Sequence, residues 1–171
     1  MKFLSGSACL VLAGVLAASA AQPPADPKDD RADLTGTWVM VAFEQNGQRT
    51  DLRKTDVPVG GALVIQDQQF KRSTVAALVG GVDEKGKLKI VGAEKRVFKV
   101  DVEYTRSRGA DDIRPNASES KHADKELWEL VDKNTLRVCR APEKKERPDS
   151  FETKPGDGRG VVVYEREQKK K

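Results

Sequence analysis

Residues 97–104 read Val97-Phe-Lys-Val-Asp-Val-Glu-Tyr104, and apolar and polar side chains alternate along them. The apolar set on one face is Phe98, Val100, Val102 and Tyr104. A period of two over eight residues predicts a half-buried β-strand with one core face and one solvated face. The face that carries these four side chains is therefore the predicted interior of the fold.

Seven more segments predict strands, because short apolar runs are broken by Gly, Asn and Asp. These segments are 37–44, 62–66, 69–75, 87–91, 126–131, 135–140 and 160–166. The predicted turns between strands are Asn46-Gly47, Gly60-Gly61, Asp67-Gln68, Gly80-Gly81, residues 83–86 and residues 132–134. Residues 50–56 predict a helical turn before Pro58.

Eight successive antiparallel strands form either a sandwich or a barrel, and closure into a barrel is the simpler way to remove exposed strand edges. The sequence therefore predicts an all-β, eight-stranded antiparallel barrel with at most short helical turns. Residues 106–124 are polar and contain Gly109 and Pro115, so they predict a long loop between the fifth and sixth strands.

The N-terminus predicts export. Lys2 is followed by an apolar stretch that ends near Leu16, and Ala18-Ser-Ala20 has the form that signal peptidase accepts. The apolar stretch is shorter than the roughly 20 residues that span a bilayer. We therefore expect residues 1–21 to be a signal peptide cleaved near Ala20 or Ala21, and the mature protein to be secreted or periplasmic.

The composition indicates one charge-balanced domain. The 171 residues are 34% charged and 37% hydrophobic, with 31 Lys and Arg against 27 Asp and Glu. Removing residues 1–21 takes away only Lys2 among charged residues, which leaves a net charge of +3. The last three residues are lysines, so the remaining mature chain is balanced, and the sequence predicts no nucleic-acid partner. The expected organisation is a spacer at 22–32, the barrel at 33–167 and a basic tail at 168–171.

Several motifs are similar to a secreted, lipocalin-like domain that is abundant in planctomycetes and has no characterised function. They are Leu34-Thr-Gly-Thr-Trp38, residues 127–139, Arg147-Pro148, Phe151, residues 154–156 and residues 161–166. The resemblance covers nearly the whole mature chain and implies a calycin-type barrel. It also implies a structural pair, in which Arg166 at the end of the last strand covers Trp38 in a cation–π contact. The chain departs from the family pattern at Trp128, Lys133-Asn134 and Arg140.

Arg140 is the residue that most suggests a ligand. It shares strand parity with Leu136 and Val138, and an inward charge must be paired, solvated or in contact with a ligand. In one interpretation Arg140 holds a carboxylate inside the barrel. The apolar wall of that candidate site is Phe98, Val100, Val102, Tyr104 and Trp128. In the other interpretation Arg140 lies past the strand end, at the rim.

No catalytic or metal constellation is predicted. Cys139 would need a base and an orienting group to act as a nucleophile, and the single histidine, His122, falls in the predicted loop. Cys139 is therefore expected to pack as a small apolar residue. One His and one Cys are too few for a typical zinc site, and Asp111-Asp112 is expected to be a solvated turn rather than a calcium site. We expect no cofactor, no metal and no enzymatic activity.

Together these patterns predict an exported binding module for a small apolar or acidic ligand. The alternative is a plugged barrel whose outer face and 106–124 loop contact another envelope protein, as an interaction or inhibitor module. Eight strands leave room for packed side chains or for one small ligand. An empty apolar cavity would favour the first function, and a filled interior with an exposed apolar patch would favour the second.

Overall fold

The computed structural model describes residues 32–56, 59–76, 80–108, 119–142 and 145–168. The predicted signal peptide, most of the spacer and the three terminal lysines lie outside these ranges, as does Asp111-Asp112. Within the described ranges, no helix has the length and apolar character needed to cross a bilayer.

Within these described ranges, nine antiparallel strands form one sheet, and eight of them close into a barrel. The strands are β1 (Gly36–Gln45), β2 (Gln48–Asp51), β3 (Val59–Gln66), β4 (Gln69–Ala76), β5 (Gly80–Glu94), β6 (Val97–Arg108), β7 (Ser120–Leu130), β8 (Thr135–Arg140) and β9 (Gly160–Arg166). The sheet order is β2-β1-β3-β4-β5-β6-β7-β8-β9, and β1 also pairs with β9, which closes the barrel. Short β2 lies outside the closed ring, paired with the second half of β1. The predicted all-β barrel is confirmed, and the predicted helical turn is the 3₁₀ turn Leu52–Lys54.

The predicted turn at 83–86 is wrong, because these residues lie in the middle of the 15-residue strand β5. The predicted strand 87–91 is only its second half. Gly86 is required there by a close approach of β6, since a Cβ at this position would lie 2.0 Å from the backbone oxygen of Glu103. The Gly60-Gly61 and Gly80-Gly81 pairs are also in strands rather than turns.

The predicted loop at 106–124 is too long. Strand β6 continues to Arg108 and β7 begins at Ser120, so only residues 109–119 separate the two strands, and 109–118 lie outside the described ranges. The paired register runs from Val97↔Glu129 to Arg106↔Ser120. His122 is therefore a strand residue, not a loop residue.

One end of the barrel is closed by Trp38. Its side chain is 0% exposed, and its Nε1 donates to the backbone oxygen of Leu34 at 2.9 Å. The Arg166 guanidinium lies 4.1 Å from the centre of the Trp38 ring. Arg166 also donates from Nη1 to the Thr35 oxygen at 2.8 Å and from Nε to the Lys133 oxygen at 3.0 Å. This arginine therefore ties the entry segment and the β7–β8 turn over the closed end.

Candidate functional site

The predicted apolar wall lies inside the barrel and is filled. Phe98, Val100 and Trp128 are 0% exposed, Val102 is 1% exposed and Tyr104 is 4% exposed. These side chains belong to one continuous core cluster that reaches from Trp38 to Phe70. Zero exposure means that no water-sized gap lies against Phe98, Val100 or Trp128. The interior therefore has no room beside them for an apolar chain.

A group of charged side chains occupies the other end of the barrel, which we call the mouth. This mouth cluster consists of Arg72 on β4, Glu84 on β5, Tyr104 and Arg106 on β6, Asp124 and Glu126 on β7, and Arg140 on β8. Each projects inward because it follows the strand alternation that sets the core. Arg72 is two residues from Phe70, and Glu126 is two residues from Trp128.

Arg72 and Glu126 form the deepest pair of the mouth cluster. Arg72 is 4% exposed and Glu126 is 0% exposed. Two nitrogens of Arg72 donate to the Glu126 carboxylate, with the shorter contact at 3.0 Å, and Arg72 Nη1 also donates to Glu84 Oε2 at 3.0 Å. Trp128 Nε1 donates to Glu126 Oε2 at 2.6 Å. Glu126 is thus the acceptor that joins the ionic layer to the apolar core below it.

Arg140 lies in the upper layer, with 25% of its side chain exposed. Its Nη2 donates to the Tyr104 hydroxyl at 3.0 Å and to Asp124 Oδ2 at 3.1 Å, and its Nε lies 3.0 Å from Glu126 Oε1. The inward position and the rim position that the sequence offered as alternatives for Arg140 are both seen in part. Arg140 points inward, as its parity predicts, and it is the last residue of β8, at the rim. Its charge is balanced by carboxylates of the protein itself.

Arg106 is the most exposed of the three arginines, with 37% of its side chain accessible. Its Nη2 lies 2.9 Å from Glu84 Oε1, and the same nitrogen donates to the Tyr104 hydroxyl at 3.0 Å. Tyr104 in turn donates to Asp124 Oδ2 at 2.7 Å. The phenol oxygen therefore joins two guanidiniums to one carboxylate.

The charges of the mouth cluster balance in sign but leave donors in excess. Three arginines face three carboxylates. Each guanidinium carries about five N–H donors, whereas each carboxylate offers about four lone-pair sites. Arg72 Nε is buried without an acceptor among the described residues. Arg106 Nη1 has no hydrogen-bond partner within that part of the chain either.

Burial and charge act against each other on the pKa values of this group. Burial favours the neutral form of Glu84, but Arg140, Arg72 and Arg106 outweigh it and hold the pKa of Glu84 below its usual range. Burial also disfavours the charged form of Arg72, yet Glu126, Tyr164 and Glu84 keep its pKa above the ordinary value. The pKa of Tyr104 is raised, first by burial and then by its bond to Asp124. At neutral pH Glu84 and Arg72 are therefore held in their charged forms beside a neutral Tyr104 phenol.

His122 extends the mouth cluster toward solvent. Its ring stacks on Tyr104 with 5.2 Å between ring centres and 19° between planes. Its Nε2 is 2.6 Å from Ser120 Oγ. The two aromatic rings form a flat wall beside Arg106 and Arg140.

Cys139 lies on the opposite side of the barrel wall from His122. It is 0% exposed in an outer cluster with Leu127 and Val161, against which Phe151 packs. Burial raises the pKa of its thiol to about 11. A buried thiol that stays protonated is a poor nucleophile. In the described residues, no group of three or more His, Cys, Asp or Glu is placed to hold a metal ion.

A cavity in the described part of the chain lies on the side of the barrel rather than at the mouth. This side cleft has a volume of about 880 Å³ and lies between the β3–β4 turn and β5. Its apolar floor is Leu34, Ile65, Leu88 and Ile90, and its charged rim includes Lys87, Lys89, Asp101 and Glu103. It touches none of the residues that the sequence predicted for ligand binding.

Sequence reasoning found Arg140 and Tyr104 but missed the rest of the mouth cluster. One signal was available: Arg72 follows Phe70, and Glu126 precedes Trp128, each at an inward position of a predicted strand. Charges of both signs at inward positions indicate an internal ion pair. Asp124 and Glu84 carried no such signal because they fell in a predicted loop and a predicted turn.

Comparison with models of known protein families, with curated proteins and with solved structures finds no match to this chain. The resemblance to a secreted lipocalin-like domain therefore stays a prediction.

Proposed function

We propose that this protein is a small binding barrel that takes a small carboxylic acid at its mouth, through Arg106 and Arg140. The observation that carries this function is the excess of guanidinium N–H groups in a partly exposed ionic cluster. Ligand sites are common at the mouths of barrels. The planar guanidinium fork matches a carboxylate in two parallel hydrogen bonds.

The energetics of the mouth cluster support a role in binding rather than in stability. Each ion that leaves water costs several kcal/mol, so a buried ionic network is often no more stable than apolar side chains of similar volume. Apolar residues would fill this end of the barrel as they fill the rest. Fixed arginines near a solvent-exposed rim, in contrast, supply a charged site that needs little rearrangement to accept an anion.

The filled interior counts against a ligand held inside the barrel, so the proposed acid is confined to the rim. Phe98, Val100 and Trp128 leave no space for an acyl chain below the cluster. The acid must therefore fit at the rim, beside the Tyr104–His122 wall, and a long-chain fatty acid is not expected to bind. We also propose that the barrel works outside the cytoplasm, as a non-enzymatic protein, on the basis of the signal-peptide features of residues 1–21.

The test is a titration with small acids such as acetate, benzoate, succinate and citrate, followed by NMR of the arginine Nε–H signals. We expect shifts at Arg106 and Arg140, and a loss of affinity of at least about ten-fold in Arg106→Gln, which corresponds to one charge-assisted hydrogen bond. Arg137→Gln is the matched control, because Arg137 is an outward residue of β8 paired with Glu129. If no acid shifts these signals at millimolar concentration, the proposal is wrong.

The side cleft favours a second candidate, the plugged barrel that contacts another protein. Its apolar floor and charged rim have the composition of a protein interface. Binding of an apolar fluorescent probe that Ile90→Glu abolishes and Arg106→Gln leaves intact would favour this function over acid binding.

A further inference from the structure

A row of lysines crosses the outer face of the barrel, on the side of the wall away from the mouth cluster. The cross-strand register places Lys71 of β4 opposite Lys85 of β5, Lys85 opposite Thr105 of β6, and Thr105 opposite Lys121 of β7. The three lysines are exposed. Neighbouring strands are about 4.8 Å apart, so the row extends over roughly 14 Å. We call it the lysine row.

The lysine row carries uncompensated charge. Within the described part of the chain, none of Lys71, Lys85 and Lys121 has a carboxylate oxygen within ion-pair distance. Like charges directly opposite each other on adjacent strands are destabilising. Lys71 and Lys85 are such a pair, in a chain with enough acidic residues to avoid it. Although the chain as a whole is nearly charge-balanced, positive charge is therefore concentrated locally at the lysine row.

The surface along the row is concave. Two hollows of about 560 and 450 Å³ flank Gly86, and both are lined by Lys85, Lys87 and Thr105. One hollow reaches Lys121 and is also lined by Glu103, and the other reaches Lys71. Each half of the lysine row therefore borders a shallow hollow.

The positive strip is narrow. On one side, the next row of outward residues places Glu103 opposite Lys87. On the other side of the lysine row, the neighbouring row of outward residues places Asp83 opposite Ser107. A wide anion would place some of its negative groups next to the carboxylates of Glu103 and Asp83, which would repel them. The anion that best complements the lysine row is therefore narrow and carries its negative charges along a single line.

From this placement we infer that the lysine row binds a linear oligophosphate, an unbranched chain of phosphoryl groups. Lysine is a compact, strongly hydrated charge that pairs with phosphate without fixed geometry, whereas carboxylates are better matched by the arginine fork. The row contains lysines and no arginine. The mouth cluster has the opposite composition and faces the interior, so the two sites are independent.

The test is calorimetric titration of the full chain with orthophosphate, tripolyphosphate and longer linear polyphosphate at low salt. Affinity should rise with chain length until the phosphate chain spans the row, and orthophosphate should bind at least about ten-fold more weakly. The Lys71→Gln, Lys85→Gln double variant should lose roughly ten-fold in affinity and reduce the slope of log Kd against log salt by about 2. Its melting temperature should be unchanged, which separates lost binding from lost folding.

Three controls make the assignment specific. Lys99→Gln removes one positive charge from the outer face of β6, outside the row, and Arg106→Gln alters the mouth. Both variants should bind polyphosphate like the wild type. The Lys169→Gln, Lys170→Gln, Lys171→Gln triple variant should also bind normally. If that tail variant loses binding while the double variant keeps it, the row is not the site. Equal or tighter binding of poly-glutamate, a sulfated oligosaccharide or single-stranded DNA would overturn the choice of a linear oligophosphate.

Discussion

Replacing Glu126 with Gln tests whether the mouth cluster is a set of coupled, fixed ion pairs. Glu126 is 0% exposed and contacts Arg72, Arg140 and Trp128. The Gln side chain keeps the size and one acceptor oxygen, but it removes the negative charge that faces two guanidiniums. The Gln amide N–H groups would then face the N–H donors that now bind the Glu126 carboxylate, so these donors would lose an acceptor. The cluster is left with one uncompensated positive charge in a site that water reaches poorly.

The expected cost follows from this arrangement. Removing one partner of a buried pair costs about 3–5 kcal/mol, most of it from the charge left behind. For a domain of this size, each kcal/mol lowers Tm by roughly 2–4 °C, so Glu126→Gln should lower Tm by about 6–20 °C. Urea unfolding followed by far-UV circular dichroism would measure the free energy of unfolding directly. The m-value should be unchanged if the fold is retained.

Glu129→Gln is the matched control. Glu129 lies on the same strand, faces outward and pairs with Arg137 at 3.0 Å, with 28% of each side chain exposed. Exposed pairs contribute about 0.2–1 kcal/mol, so this variant should be nearly as stable as the wild type. Equal losses in the two variants, or a loss below about 1 kcal/mol for Glu126→Gln, would refute the description of the cluster as buried and coupled.

Three other outcomes are expected. Arg166→Gln should lower the free energy of unfolding by about 2–4 kcal/mol, because it removes the cation–π contact with Trp38 and charged hydrogen bonds at the closed end; an unchanged Tm would count against this role. Cys139 should resist alkylation by iodoacetamide at neutral pH until urea unfolds the barrel, and rapid labelling of the native protein would contradict its burial. The pKa of Glu84 is held below its ordinary value of 4.5, so its contribution to stability is complete above that pH and is lost as pH falls through the lower folded-state value. The urea midpoint should therefore fall on acidification below about pH 4.5, and Glu84→Gln should show a flatter acid limb if the ion pairs cause it.

Strand alternation predicted the fold where the interior is apolar. Phe98, Val100 and Val102 alternate with solvated residues, and this pattern alone located β6 and its inward face. The hairpins at Asp67-Gln68 and at 132–134 were also found, because turn residues there separate two apolar runs. In these regions local pattern and tertiary burial agree, which is the condition under which sequence reasoning succeeds.

Strand alternation did not locate the strands where the barrel interior is polar. Glu84 and Gly86 occupy inward positions of β5, so the first half of that strand resembled a turn of charged residues and glycine. His122 and Asp124 occupy inward positions of β7, so its first half resembled a loop. Each residue is stabilised by a partner on a distant strand, and a single sequence does not show which charges meet. Arg72, for example, is 54 residues from Glu126.

The two strand segments that the sequence assigned wrongly meet at the mouth of the barrel, and their shared location is relevant to function. The misassigned halves of β5 and β7 both end at the mouth, where Glu84 and Asp124 meet Arg106 and Arg140. A barrel that needed only stability would carry alternating apolar residues to its rim, because apolar packing avoids the cost of burying charge. Local rules are broken most often at functional sites. The polar mouth is therefore the part of this barrel that stability does not explain, and the proposed binding of an acid through Arg106 and Arg140 would account for it.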